Sequence, residues 1–85
     1  MDERTLRALV GAGGIRKVRI VALGGRFHVE MSTRTGDVTA STMKGAVKTW
    51  VTLDAAARWV RGLGVGQLSV SMERWQPGQR TLHLD

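Results

Sequence analysis

Residues 48–72, KTWVTLDAAARWVRGLGVGQLSVSM, constrain the fold most, because they spell a strand, a helix and a second strand with both helix ends punctuated. Thr52 is a good N-cap, and Asp54 places a negative charge in the first turn, where the helix dipole favours it. Leu53, Ala56, Ala57, Val60 and Leu63 recur at helical spacing on one face, with Arg58 and Arg61 on the other. Gly64 is the natural left-handed stop. On either side the pattern alternates with period two. Residues 46–51 are β-branched and aromatic-rich. Residues 67–73 place Leu68, Val70 and Met72 on one side and Gln67, Ser69, Ser71 and Glu73 on the other. The two strands of such a unit should run parallel, joined by a right-handed crossover, adjacent or one strand apart.

The N-terminal half adds a helix and a hairpin. Asp2 or Thr5 caps a short helix with Leu6, Leu9 and Val10 on one stripe, ended by Gly11, Gly13 and Gly14. Residues 16–23 alternate, with Val18, Ile20 and Ala22 on the buried side and Lys17, Arg19 and Val21 opposite. Gly24-Gly25 is a two-residue hairpin signal, since both positions tolerate positive φ. Residues 26–32 alternate again: Phe27, Val29 and Met31 inward; Arg26, His28, Glu30 and Ser32 outward. A turn is expected over 33–37 and a short strand over 38–42. Residues 43–45 fit a loop or a bulge. The tail, 74–85, holds a Pro77-Gly78 turn and an apolar pair, Leu82 and Leu84. It either packs back as a strand or hangs free.

The expectation is therefore one α+β domain over residues 1–85, in the order α-β-β-(β)-β-α-β. A single four-stranded, mostly antiparallel sheet carries two helices on one face, because each helix has one apolar stripe to bury. The other sheet face stays at least partly open. At 85 residues a second domain would leave neither half a core.

Little in the chain suggests chemistry. There is no cysteine, so disulfides and thiolate chemistry are excluded. His28 and Glu30 share a strand face and form a nominal acid–base pair, but no positioned nucleophile accompanies them. His83 lies in the tail. Two distant histidines offer too few ligands for a metal. The glycine clusters 11–14 and 62–66 follow helices, the reverse of the strand–loop–helix order that aims helix N–H groups at phosphate. No enzyme and no cofactor is expected. No stretch is apolar for long enough to cross a membrane. The opening MDERTLRALV puts acids before the apolar patch, contrary to a secretory signal. A cytoplasmic protein is expected.

Charge is the feature that points outward. Thirteen basic residues, ten of them Arg, face seven acids, for a formal net charge of +6. Arginine suits phosphate or carboxylate partners, although a GC-rich genome also writes Arg at any surface cation. Lys17, Arg19, Arg26, His28 and Lys48 fall on the predicted outward sides of strands, and Trp50 shares the parity of Lys48. Cations and an aromatic on one sheet face suit a phosphate backbone and a stacked base. Arg58 and Arg61 make a second patch. Trp59 flanks the helix stripe as a half-buried core residue. Trp75, between Arg74 and Arg80, either locks the tail over the sheet or anchors an interface.

The patterns L-R-A-L-V-x-A-G (6–13), V-R-I-V-A-x-G-G-x-F-x-V-E (18–30), T-W-V-T-L-D-A-A-A-R-W-V-R-x-L-G-V-G (49–66) and R-W-Q-P-x-Q-R (74–80) resemble the small partition-associated ParC-like proteins of plasmids and integrative elements. The resemblance covers nearly the whole chain. It implies an accessory role beside a partition ATPase or DNA-binding factor, and it brings no catalytic residues. The leading expectation is a non-enzymatic accessory protein that binds DNA, a DNA-bound partner or an acidic protein surface through its basic sheet face. The alternative is a protein-interaction module, a homodimer or an inhibitor of a host protein, anchored by Arg74, Trp75 and Arg80.

Overall fold

A computed structural model describes residues 1–76. Helix α1 spans Glu3–Gly11, strand β1 Ile15–Gly24, β2 Arg26–Thr33 and β3 Gly36–Thr39. Helix α2 spans Leu53–Gly62 and β4 Ser69–Trp75. The four strands form one mixed sheet in the order β3-β2-β1-β4, antiparallel except for β1 against β4. This is the expected α+β class.

Local signals set most element ends. Asp2, not Thr5, caps α1: its carboxylate accepts from the Thr5 N–H at 3.0 Å. Thr52 caps α2 by accepting from the Ala55 N–H at 3.1 Å. Gly64, at φ +103°, ends that helix in the left-handed region. Gly24, at φ +63°, turns the β1–β2 hairpin, and Leu23 pairs with Arg26 across it. That two-residue loop fixes the register of the whole ladder, Arg19 opposite Glu30 and Ile20 opposite Val29.

The core lies between the sheet and the helices. Val18, Ile20 and Ala22 of β1 and Phe27, Val29 and Met31 of β2 are buried as their alternation predicts. Leu6 of α1, Ala56 and Val60 of α2, and Leu63 close over them.

Three expectations need correction. Residues 46–51 form no strand. They make only bridges, Ser41 to Val47 and Phe27 to Trp50, the latter through backbone hydrogen bonds of 2.8 and 2.9 Å. The reason is room: β3 already occupies the edge of β2 from Glu30 to Thr33, leaving one pairing site near Phe27. The intervening residues close a loop, with Thr42 N–H donating to Ala46 O and Gly45 N–H to Thr42 O, so 43–45 are a loop and not a bulge. Second, the crossover is wider than expected. Trp50 lies on the outer side of β2 and β4 on the far side of β1, so two strands separate them. Third, the row Leu68, Val70 and Met72 is not buried. Val70 pairs with Ile20 and so faces the helix layer, but it stays 38% exposed and Met72 42%. β4 is an edge strand, and α2 packs over β1 and β2 instead.

Candidate functional site

The outer sheet face is built by the alternate residues that the core rejects. Lys17, Arg19, Val21 and Leu23 come from β1, and Arg26, His28 and Glu30 from β2. Asp37 and Thr39 pair with Ser32 and Glu30 and so join from β3. The register that buries Ile20 and Val29 brings Arg19 against acids. Arg19 Nη2 donates to Glu30 Oε1 at 2.7 Å and to Asp37 Oδ2 at 3.5 Å. His28 Nε2 lies 2.9 Å from Glu30 Oε2. The Arg19 hydrogen bond, then that of His28, holds the Glu30 carboxyl below its ordinary value. The same pair raises the Arg19 guanidinium.

This network occupies the middle of the face. Glu30 is in its charged form in the fold, so the pairing is stabilising above the ordinary carboxylate value of 4.5 and is lost as pH falls through the lower folded value. Both side chains are about one-third exposed, so the contribution is modest, about 1 kcal/mol. Glu30→Gln should therefore cost stability at pH 7 but make no difference well below pH 4.5. Urea melts of both proteins across pH 2–7 check this. A constant gap over that range would mean that Glu30 acts only through its shape.

The remaining cations of the outer face lie at its two ends. At one end are Lys17 near the start of β1 and Arg34 in the β2–β3 turn, both exposed. At the other end Arg26 donates from Nε to Thr49 Oγ1 at 3.0 Å. Arg74 is also exposed there, opposite Leu23. Beside Arg26 and His28 opens a groove of about 600 Å³, lined also by Leu23, Thr39, Val47 and Thr49. The two ends are about 20 Å apart along β1 at roughly 3.3 Å per residue.

Two expected members of the face lie elsewhere. Trp50 pairs with the buried Phe27, so its ring falls on the helix side and packs tilted against Trp59, centroids 5.0 Å apart at 47°. Lys48 follows it: its Nζ lies 5.5 Å from the Trp50 ring centre and 5.9 Å from that of Trp59. Trp59 Nε1 in turn donates to Glu3 Oε1 at 3.1 Å; the Arg7 hydrogen bond, then that of Trp59, holds the Glu3 carboxyl below its ordinary value. The predicted base-stacking aromatic is thus a structural side chain, because the single bridge to Phe27 fixes its parity with the core. The second patch is divided as well. Arg58 pairs with Asp54 at 2.7 Å on exposed helix surface, and Arg61 stands in the last turn of α2 without an acid beside it among the described residues. Trp75 lies 6.3 Å from Phe27, centre to centre, and is 39% exposed. Arg80 and His83 lie outside the described residues.

Asp37 and Arg34, both read from sequence only as part of a turn, are the site residues that sequence reasoning missed. For Asp37 the partial signal lay in the hairpin: a two-residue loop at Gly24-Gly25 already places Glu30 opposite Arg19, but only the register of β3 adds Asp37. Among the described residues no three His, Cys, Asp or Glu side chains gather as a metal site. Nor is any helix there long and apolar enough to cross a membrane. Compared with known proteins, the chain matches no family model, no curated protein and no solved structure. The resemblance to the ParC-like proteins rests on the residue patterns alone.

Proposed function

We propose that this chain is a non-enzymatic accessory protein of a plasmid or mobile element that binds DNA through the cationic ends of its open sheet face. The observation that carries the reading is an imbalance in pairing. Asp2 caps α1, Glu3 bonds Arg7, Glu30 and Asp37 hold Arg19, and Asp54 holds Arg58. Among the described residues only Glu73 is left over. Lys17, Arg26, Arg34 and Arg74 meet no acid there. Unneutralised cations on one face attract a polyanion by releasing its counterions. The mobile-element context comes from the resemblance.

The site differs from the sequence expectation. Arg19 is neutralised within the fold, and Lys48 and Trp50 lie on the helix side, so Lys17, Arg26, Arg34 and Arg74 are the contacts. Binding to a nonspecific duplex, measured by fluorescence anisotropy, should weaken by about two orders of magnitude between 50 and 200 mM salt for about four phosphate contacts. Lys17→Ala/Arg26→Ala should weaken it at least tenfold at low salt and flatten the salt dependence by about two contacts. Arg19→Ala should change it little. No binding at low salt sinks the reading.

A second reading, docking of a DNA-bound protein such as a partition ATPase, has its own support. Leu68, just before β4, and Val70, Met72 and Trp75 within it are only partly covered. Trp75 and the adjacent Arg74 are of the kinds that anchor protein interfaces.

A further inference from the structure

The edge of β4 is built to accept a strand. β4 is the last strand of the sheet among the described residues, seven residues long. Edge strands are commonly blunted by Pro, by shortness, by charge or by a bulge; within its span β4 has no Pro and is not short, and its one bulge and its two charges fall together at Glu73 and Arg74. The opposite edge is different: β3 is four residues long, and backbone bonds from Ala40 to Val29 and between Trp50 and Phe27 occupy the rest of β2.

The two faces of β4 are sorted by chemistry. On the helix side stand Val70, Met72 and Trp75, each between 38% and 42% exposed. They continue the core layer sideways past the point where α2 stops. On the outer side the β1–β4 register slips by one residue between Val21 and Leu23. The slip is a bulge, and it brings two successive residues to the outer face. Arg74 stands opposite Leu23, and Glu73 lines the same hollow as Val21, Leu23 and His28. An acid and a base therefore sit side by side at the free edge, and neither has an ionic partner among the described residues.

We propose that β4 pairs antiparallel with β4 of a second copy of this chain, about a two-fold axis that passes between Glu73 and Arg74. The inference rests on the reading of β4 as a protein-docking edge and names its partner. Such an axis sets Glu73 against the partner's Arg74 and Arg74 against the partner's Glu73. The neighbouring pair is Met72 with the partner's Trp75, apolar on apolar, on the helix side. An isologous contact requires that one patch complement itself, and this strand does so in both charge and hydrophobicity. The product is one eight-stranded sheet with a continuous outer face; in it Arg74 is neutralised by the partner's Glu73, so the dimer meets a polyanion through the Lys17, Arg26 and Arg34 of each copy.

A single strand pair with four apolar side chains is a small interface, so the expected dissociation constant is on the order of micromolar. Sedimentation equilibrium from about 1 µM to 1 mM at low salt should show the mass rising from one chain to two. Glu73→Arg and Arg74→Glu should each weaken the dimer at least tenfold, because like charges then meet twice across the axis. The decisive arm mixes the two variants. Each alone associates at least tenfold more weakly, yet the mixture regains the affinity of the unaltered protein, since each now supplies the charge the other needs. Circular dichroism confirms that both remain folded.

A one-chain mass at the highest concentration overturns the proposal. Amide exchange then decides about the edge itself. Rapidly exchanging β4 edge amides in a monomer leave a docking edge with a different partner. Protected edge amides in a monomer mean that the chain covers its own edge, which overturns the docking reading as well. A dimer that forms equally well from either single variant also overturns the proposed pairing.

Discussion

Replacing Leu6 by alanine should cost 2–5 kcal/mol, as for other fully buried leucines. Leu6 is the one fully buried side chain of α1, sealed among Ile20, Val60 and their neighbours. The helix has nine residues, too few to persist in water without packing. Val10 adds partly buried packing, and the helix is otherwise tied by surface bonds: Arg7 Nη1 donates to Gly62 O at 2.8 Å, and Trp59 Nε1 donates to Glu3. A domain of this size has a stability of only about 4–13 kcal/mol. The variant should therefore unfold at a urea concentration lower by at least about 2 M, for a slope near 1 kcal/mol per M. A loss below 1 kcal/mol would mean that α1 contributes little to the fold.

Trp50→Ala should destabilise the protein by about 2–4 kcal/mol and lower the melting temperature by roughly 10 °C or more. The ring is only partly buried, but it holds three things together. It packs against Trp59, carries the Lys48 ammonium over its face, and sits on the backbone bridge that ties the chain to Phe27. Trp50→Phe keeps the aromatic contact and should recover most of the loss. Duplex affinity, compared at a temperature where both proteins are folded, should be unchanged. A tenfold loss of affinity with unaltered melting would return Trp50 to the binding face and overturn its structural role.

These two residues illustrate how far the sequence reads. Leu6 is legible from a stripe at helical spacing, and its burial follows once two helices must share one sheet face. Trp50 is not. Its parity is plain within residues 46–51, but which face that parity meets depends on where the chain rejoins β2. A run of β-branched and aromatic residues predicts a strand. The segment forms single bridges instead, because β3 fills most of the edge it would need. Propensity describes the segment, whereas pairing requires a vacant neighbour.

The candidate site shows the same division. Lys17, Arg19, Arg26 and His28 were placed on the outer face by alternation alone, and there they lie. Alternation gives the face of a charge but not its partner. The Gly24-Gly25 hairpin already implied that Glu30 would sit opposite Arg19. Asp37 could not be added without the β3 register. Together they turn the most central cation of the expected patch into part of an internal network. The binding reading therefore moves to the ends of the sheet, where Lys17, Arg34, Arg26 and Arg74 remain.

For β4 the alternation gave the correct side for Val70 and Met72 but the wrong burial. A period of two tells which residues share a face, not whether anything covers it. Coverage depends on sheet order, and the order β3-β2-β1-β4 puts this strand at the edge, where α2, packed over β1 and β2, covers it only in part.

The amino-acid sequence by itself determined the class of fold, the helix cap at Thr52, the hairpin and its register, and the excess of basic charge. All of these are set by neighbours within a few residues, where periodicity and turn chemistry act. Tertiary structure alone decided the strand order, the facing of Trp50 and Lys48, the neutralisation of Arg19 and the exposed edge of β4. Each of these depends on contacts between residues distant in the chain, where competition for one sheet edge, and not local preference, selects the outcome.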